Sequence, residues 1–145
     1  VSDEYPRVLA IDPGKKRVGL AVSDPFGHFA VGLDTLSNYE GKDLVPELTA
    51  ICREYNVQSI LLGLPVSLKG EEGIAAQAVR ELGAVLEERL GLPVTYLDER
   101  MTSKIAERSL REMGIKSVQR RKAGMIDQAA AMRLLQDYLD RRNKR

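Results

Sequence analysis

The sequence predicts an α/β fold on a five-stranded mixed sheet, and three observations carry that prediction. Residues 7–36 hold three strand-length apolar runs joined by short turns. Parallel neighbours need a crossover of about a dozen residues or more, so these three form an antiparallel meander. Beyond residue 44 the apolar spacing alternates between helical and strand periods, the pattern of strands joined through helices. One of those later strands, Ser59-Ile-Leu-Leu-Gly63, is almost wholly apolar, which requires cover on both faces of the sheet.

The elements follow in order. Arg7-Val-Leu-Ala-Ile-Asp12 is the first strand, closed by Pro13-Gly14. Arg17 to Ser23 is the second, and Asp24-Pro-Phe-Gly27 turns the chain into a third over 29–36. Leu44, Leu48, Ile51 and Tyr55 recur at helical spacing, with Pro46 tolerated in the first turn. After the apolar strand, Ala75, Val79, Leu82, Leu86 and Leu90 form one stripe of a helix over 71–90, stopped by Gly91. Residues 94–99 make the last strand. A helix capped by Thr102 or Ser103 runs to Met113, and after a basic loop, 116–122, a final helix runs from near Gly124 to about Arg142. The order is β-β-β-α-β-α-β-α-α, with helices on both faces.

At 145 residues the chain has the size of one ordinary domain. It has no internal repeat and no Gly/Ser-rich linker, so residues 1–145 are expected to form a single domain with 141–145 as a basic tail. No apolar run approaches the ~18–20 residues of a membrane span. The first residues are polar and acidic where a secretory signal would be basic and apolar. One cysteine, Cys52, excludes an intrachain disulfide, and one histidine, His28, excludes a Cys/His metal cluster. A cytoplasmic protein is the expectation, with no membrane partner.

The net charge of +1 hides a separation. Residues 1–99 carry 9 Lys/Arg against 16 Asp/Glu, a net of −7, and residues 100–145 carry 13 against 5, a net of +8. Such asymmetry hints at a polyanion-binding surface, although basic residues also simply solvate the outer faces of helices.

Three carboxylates stand out. Asp127 precedes Ala130, Ala131, Leu134, Leu135 and Tyr138 at helical spacing, which puts it at the head of an apolar stripe. A carboxylate there needs a partner, a metal or the free N–H groups of a helix start. Asp12 shares the parity of Val8 and Ala10 at the end of the first strand, where an Asp before Pro-Gly also simply forms a turn. Glu99 ends the last strand, where it also has Arg100 to pair with. Open α/β sheets place their sites at the carboxyl ends of strands. If these three converge there, their repulsion calls for hard divalent cations, Mg²⁺ or Mn²⁺. Two such ions about 3.5–4 Å apart serve phosphodiester hydrolysis.

Several neighbours carry weaker signals. Lys15, Lys16 and Arg17 adjoin this edge and suit phosphate contact, as does Arg100, which alternatively holds Glu99. Lys116, Arg120, Arg121 and Lys122 put four positive charges in seven residues leading into the Asp127 helix. Gly14 and Gly19 either let a backbone approach a phosphate or make the turn. Asp24 and Asp98 are reserve carboxylates, His28 reads as a structural turn residue and Cys52 as a small buried side chain. With no Trp, 2 Phe and 5 Tyr, base stacking is scarce, which favours recognition by backbone and shape.

The segment Ala10-Ile-Asp-Pro-Gly-Lys-Lys-Arg-Val-Gly-Leu-Ala-Val-Ser-Asp24 resembles the N-terminal signature of the YqgF/RuvX family. Gly63-Leu-Pro65 with Gly70, Leu97-Asp-Glu-Arg-Met-Thr-Ser103 and Ile126-Asp-Gln-Ala-Ala-Ala131 match in family order. The resemblance implies a ribonuclease H-like fold and a nuclease whose acidic triad is Asp12, Glu99 and Asp127, holding two Mg²⁺ or Mn²⁺ ions. It implies as substrate a precursor RNA, in maturation of the pre-16S rRNA 5′ end, or a four-way DNA junction. The chain would be a monomer, or a homodimer if it resolves junctions. Ala10 and Met101 depart from the usual Gly and Leu, away from the triad. Two other readings are a non-catalytic RNA-binding factor of this fold and a nucleotide-binding ATPase of the actin/sugar-kinase type. The ATPase needs two such domains, which 145 residues do not supply.

Overall fold

The computed structural model describes residues 5–67, 69–98 and 119–144, and of 119–123 only the backbone. Strands β1 (Arg7–Pro13), β2 (Arg17–Ser23) and β3 (Ala30–Ser37) form the antiparallel meander. Helix α1 (Val45–Glu54) leads to β4 (Val57–Leu64), and α2 (Ile74–Leu90) leads to β5 (Val94–Asp98). The long α3 spans Gln119–Asn143. The sheet order is β3-β2-β1-β4-β5, with β1, β4 and β5 mutually parallel. This is the mixed, five-stranded α/β architecture read from the sequence.

Alternation along β1 divides the core into two layers. Leu9 and Ile11 point to one face, where Leu20, Leu62, Leu48 of α1 and Leu86 of α2 join them. Val8 and Ala10 point to the other, against Ala131, Leu134, Leu135 and Leu139 of α3. Each of those buried leucines contributes about 1.5–3 kcal/mol over an exposed position. Both faces of the central strands are therefore covered, which is why β4 is so apolar.

Local chemistry sets the boundaries. Pro46 sits in the first turn of α1, where its missing N–H costs nothing, and Asp43 Oδ1 accepts a hydrogen bond from the Val45 N–H at 3.0 Å. Gly91, with φ of 67°, ends α2 in the left-handed region. The start of α2 falls later than its spacing predicts, because Glu72 pairs with Val66 in an isolated bridge and Gly73 is extended.

A larger correction concerns α3. The sequence predicts a loop over 116–122 and a helix from Gly124, but the helix already runs from Gln119. Gln119-Arg-Arg-Lys-Ala123 are all helix formers, and one internal glycine costs only about 1 kcal/mol. Asp127 consequently lies two turns inside the helix. Helix-start N–H groups are not its partners. The predicted helix over 102–113 lies outside the described residues.

Candidate functional site

The carboxyl ends of β1, β4 and β5 lie along one edge because these strands are parallel. Ile11, Leu62 and Tyr96 are level across the three strands, so Asp12 and Leu97 stand one residue beyond that row, toward the edge. Two strand spacings separate β1 from β5, about 10 Å. Leu97 packs into the α3 layer, and Asp12 belongs to the same face by alternation with Val8 and Ala10.

Asp127 reaches this face from above. Asp12 is paired with Gly19 across the β1–β2 ladder. Gly19 in turn lies against the main-chain carbonyl of Asp127, so close that a β-carbon would collide with it. Absence of a side chain at residue 19 thus lets α3 descend onto β2 directly beside Asp12. Gly14 is a structural requirement of a second kind: its N–H donates to Arg17 O at 3.0 Å, and an added β-carbon would sit 2.7 Å from that oxygen. Both glycines are thereby accounted for by backbone proximity.

Arg17, two residues before Gly19 on the same face of β2, donates from Nε to Asp127 Oδ2 at 2.8 Å. Both side chains are about one-third exposed, so this pair is accessible to a ligand. A single-sequence reading assigns Arg17 to substrate phosphate alone; the fold also makes it the partner of a carboxylate. Lys15 and Lys16 are exposed in the β1–β2 turn. Asn38 braces that turn, its Nδ2 donating to Gly14 O at 2.6 Å.

Other candidates separate from the edge. Asp24 Oδ1 accepts from the His28 and Phe29 N–H groups, both at 2.7 Å, and Oδ2 accepts from Phe26 at 3.2 Å. Burial raises the Asp24 pKa, but these three donors outweigh it and hold the carboxyl below its ordinary value. It is a turn-forming residue, as is His28, whose main-chain oxygen accepts from Gln136 Nε2. Asp98 is exposed and has the opposite parity to Leu97. Cys52 is buried, and burial pushes its thiol up to about 11.

Glu99, Arg100 and Lys116 lie outside the described residues. Arg120, Arg121 and Lys122 lie on the backbone of α3. Among the described residues no group of three His, Cys, Asp or Glu side chains is placed to hold a metal ion. Sequence reading missed Gln128 and Gln136, which tie α3 to the β3 main chain at Leu33 O (2.9 Å) and the Ala30 N–H (3.0 Å). Their spacing of eight along one helix was the available signal. No described helix is long and apolar enough to cross a membrane.

Comparisons with known proteins agree with this architecture. Relatives from Clostridium botulinum (strain Eklund 17B) and Dictyoglomus thermophilum carry the provisional name pre-16S rRNA nuclease. The first is 38% identical over 138 residues, 95% of this chain and 99% of the relative. The second is 42% identical over 134 residues, 92% and 95% respectively. Among solved structures, RuvC of T. thermophilus in complex with a Holliday junction substrate superposes with a TM-score of 0.60 at 15% identity, covering 97% of this chain and 98% of that one. The fowlpox virus resolvase with Holliday junction DNA gives 0.55 at 10% identity, covering 95% and 99%. At such identities these two likenesses establish the fold. The family model described as RuvX, Holliday junction resolvase, matches residues 6–141, a stretch that contains both Asp12 and Asp127, and this chain belongs to that family.

Proposed function

We propose that this chain is a metal-dependent endonuclease that hydrolyses phosphodiester bonds in structured nucleic acid, processing the 5′ end of pre-16S rRNA. The observation that carries the reading is that Gly19 is the cross-strand partner of Asp12 and lies against the main-chain carbonyl of Asp127, at the sheet edge. In this reading Asp12 and Asp127 supply oxygen ligands of the kind that suit Mg²⁺ or Mn²⁺, and Glu99 is the proposed third ligand. Two such ions, when bound, offset the carboxylate charge and activate water for attack on phosphorus. The names of the relatives favour RNA as substrate.

The chain's own residues orient and grip. Arg17 fixes one oxygen of Asp127 through Nε, and its remaining guanidinium N–H groups are available to a phosphate. Lys15 and Lys16 flank the same edge, and Arg100, Lys116, Arg120, Arg121 and Lys122 are the further basic residues assigned to substrate phosphates in this reading. A second reading, resolution of four-way DNA junctions by a homodimer, is favoured by the family's description and by the resolvase structures that share the fold.

The deciding experiment is Mn²⁺-dependent cleavage of a precursor-rRNA fragment and a four-way junction by wild type and Asp12→Asn. Wild type should cut the RNA, with Asp12→Asn slower by on the order of 10²-fold or more. Equal rates for the two proteins sink the mechanism. Symmetric junction cutting by a dimer, with RNA untouched, replaces the first reading by the second.

A further inference from the structure

A cavity of about 740 Å³ opens behind the β1–β2 turn, on the sheet face opposite Asp12. Its size lies within the roughly 300–1,000 Å³ of small-ligand sites. Leu44, Val79 and Leu82 make an apolar floor, and Pro13 and Pro65 close two sides. Lys15 stands at the rim, Lys42 beside it is paired with Glu47 at 2.7 Å, and among the described residues no acidic one lines the cavity. The first turn of α2 adds no acidic residue and no side-chain cap, so its N–H groups reinforce the positive rim.

The Gly63-Leu-Pro65 and Gly70 motif acquires a role here. Pro65 follows the end of β4, and a tight turn follows, with Gly70 N–H donating to Ser67 O at 2.8 Å. Ser67 N–H donates to Glu71 O at 2.9 Å, which returns the chain so that α2 begins beside the β1–β2 turn. Ile74, at the start of α2, is 88% exposed, an apolar side chain held out over the cavity mouth.

We infer that this cavity takes one unpaired nucleotide of the substrate strand, next to the phosphate at the carboxylates, with its base on the apolar floor and its phosphate against Lys15. The inference deepens the nuclease reading and rests on it. Two features select this occupant. A nucleotide combines a flat, largely apolar base with one anionic group, the complement of an apolar floor beside the exposed cation of Lys15. Continuity supplies the second: Pro13 lines the cavity and directly follows Asp12, so a strand crossing the turn has one nucleotide on each side of it. Among the described residues no aromatic side chain lines the cavity, so bases are not distinguished by stacking there. What is distinguished is pairing, because a base enters only after leaving its duplex. The cavity thus selects strands with an unpaired flank beside the scissile bond.

Ala78 is exposed on α2 and lines the cavity, and both Glu and Lys are good helix formers there. The test uses two RNA hairpins with the same stem, one with a four-nucleotide unpaired flank and one with that flank paired to a complementary strand. The readout is the ratio of their single-turnover cleavage rates in Mn²⁺ for wild type, Ala78→Glu and Ala78→Lys. Wild type should favour the unpaired flank, Ala78→Glu should lower the ratio about tenfold, and Ala78→Lys should keep or raise it. Opposite responses at one position cannot come from misfolding. Unchanged ratios in both variants overturn the inference and leave the nuclease reading standing. Failure of wild type to cut either RNA overturns that reading, and this inference with it. A shift in sedimentation of Ala78→Glu without a change in ratio makes the cavity a contact between copies, which also overturns it.

Discussion

Gly19 of β2 and Asp127 of α3 touch backbone to backbone, with no room for a β-carbon between them. The contact sets the height of α3 over the sheet and hence the approach of Asp127 to Asp12. Gly19→Ala must push the helix away. Overpacking of this kind costs about 1–3 kcal/mol. A lower denaturation midpoint is expected, together with a loss of nuclease rate even where the variant remains folded. Stability and rate equal to wild type would show that the helix does not depend on this contact.

Arg17 holds Asp127 Oδ2, an oxygen that the proposed metal site would also call on. Arg17→Gln should therefore bind Mn²⁺ several-fold more tightly in the absence of nucleic acid, as read by calorimetry. The same variant should bind RNA more weakly, with the slope of log affinity against log salt reduced by about 1. Weaker Mn²⁺ binding would instead make Arg17 a support for the metal site.

The Asp24 turn is acid-sensitive. Its carboxyl is held below the ordinary value of 3.8, so its stabilisation is complete above that value and is lost as pH falls through the folded pKa. Hydrogen-exchange protection of the His28 and Phe29 amides should fall on acidification below about pH 4. Asp24→Asn should abolish that acid limb, and an identical profile in the variant would remove Asp24 from the explanation.

Cys52 gives the opposite, alkaline limb. Its folded thiol titrates at about 11 against an ordinary 9.0, so the unfolded chain loses its proton first and stability declines as pH rises between those values. At pH 8 a disulfide reagent should modify folded Cys52 more slowly than the unfolded chain by on the order of 100-fold. Equal rates would mean an open thiol. Cys52→Ala should flatten the alkaline decline.

Local pattern made much of the fold legible. β2 has the bounds its apolar run predicts, and Val8 and Ala10, whose parity Asp12 shares, lie on the face that α3 covers. The start of α3 was misread because a charged, helix-forming run looks like a loop when no apolar stripe marks it. Partners were the least legible. Nothing periodic links Arg17 to Asp127 or Gln136 to Ala30, since those bonds exist only after distant segments pack. The cavity had no sequence signal beyond the unexplained Gly63-Leu-Pro65 motif, because it is a space between elements and no one element encodes it.

The ion pair between Arg17 and Asp127 spans 110 positions of chain. On a ribosome, the meander of β1, β2 and β3 emerges early and can pair at once through short turns, carrying Asp12 with it. The proposed carboxylate pair comes into being only when α3 has been synthesised and docked. Any cutting that depends on the proposed pair would therefore await the docking of α3 on a meander placed some 110 positions earlier.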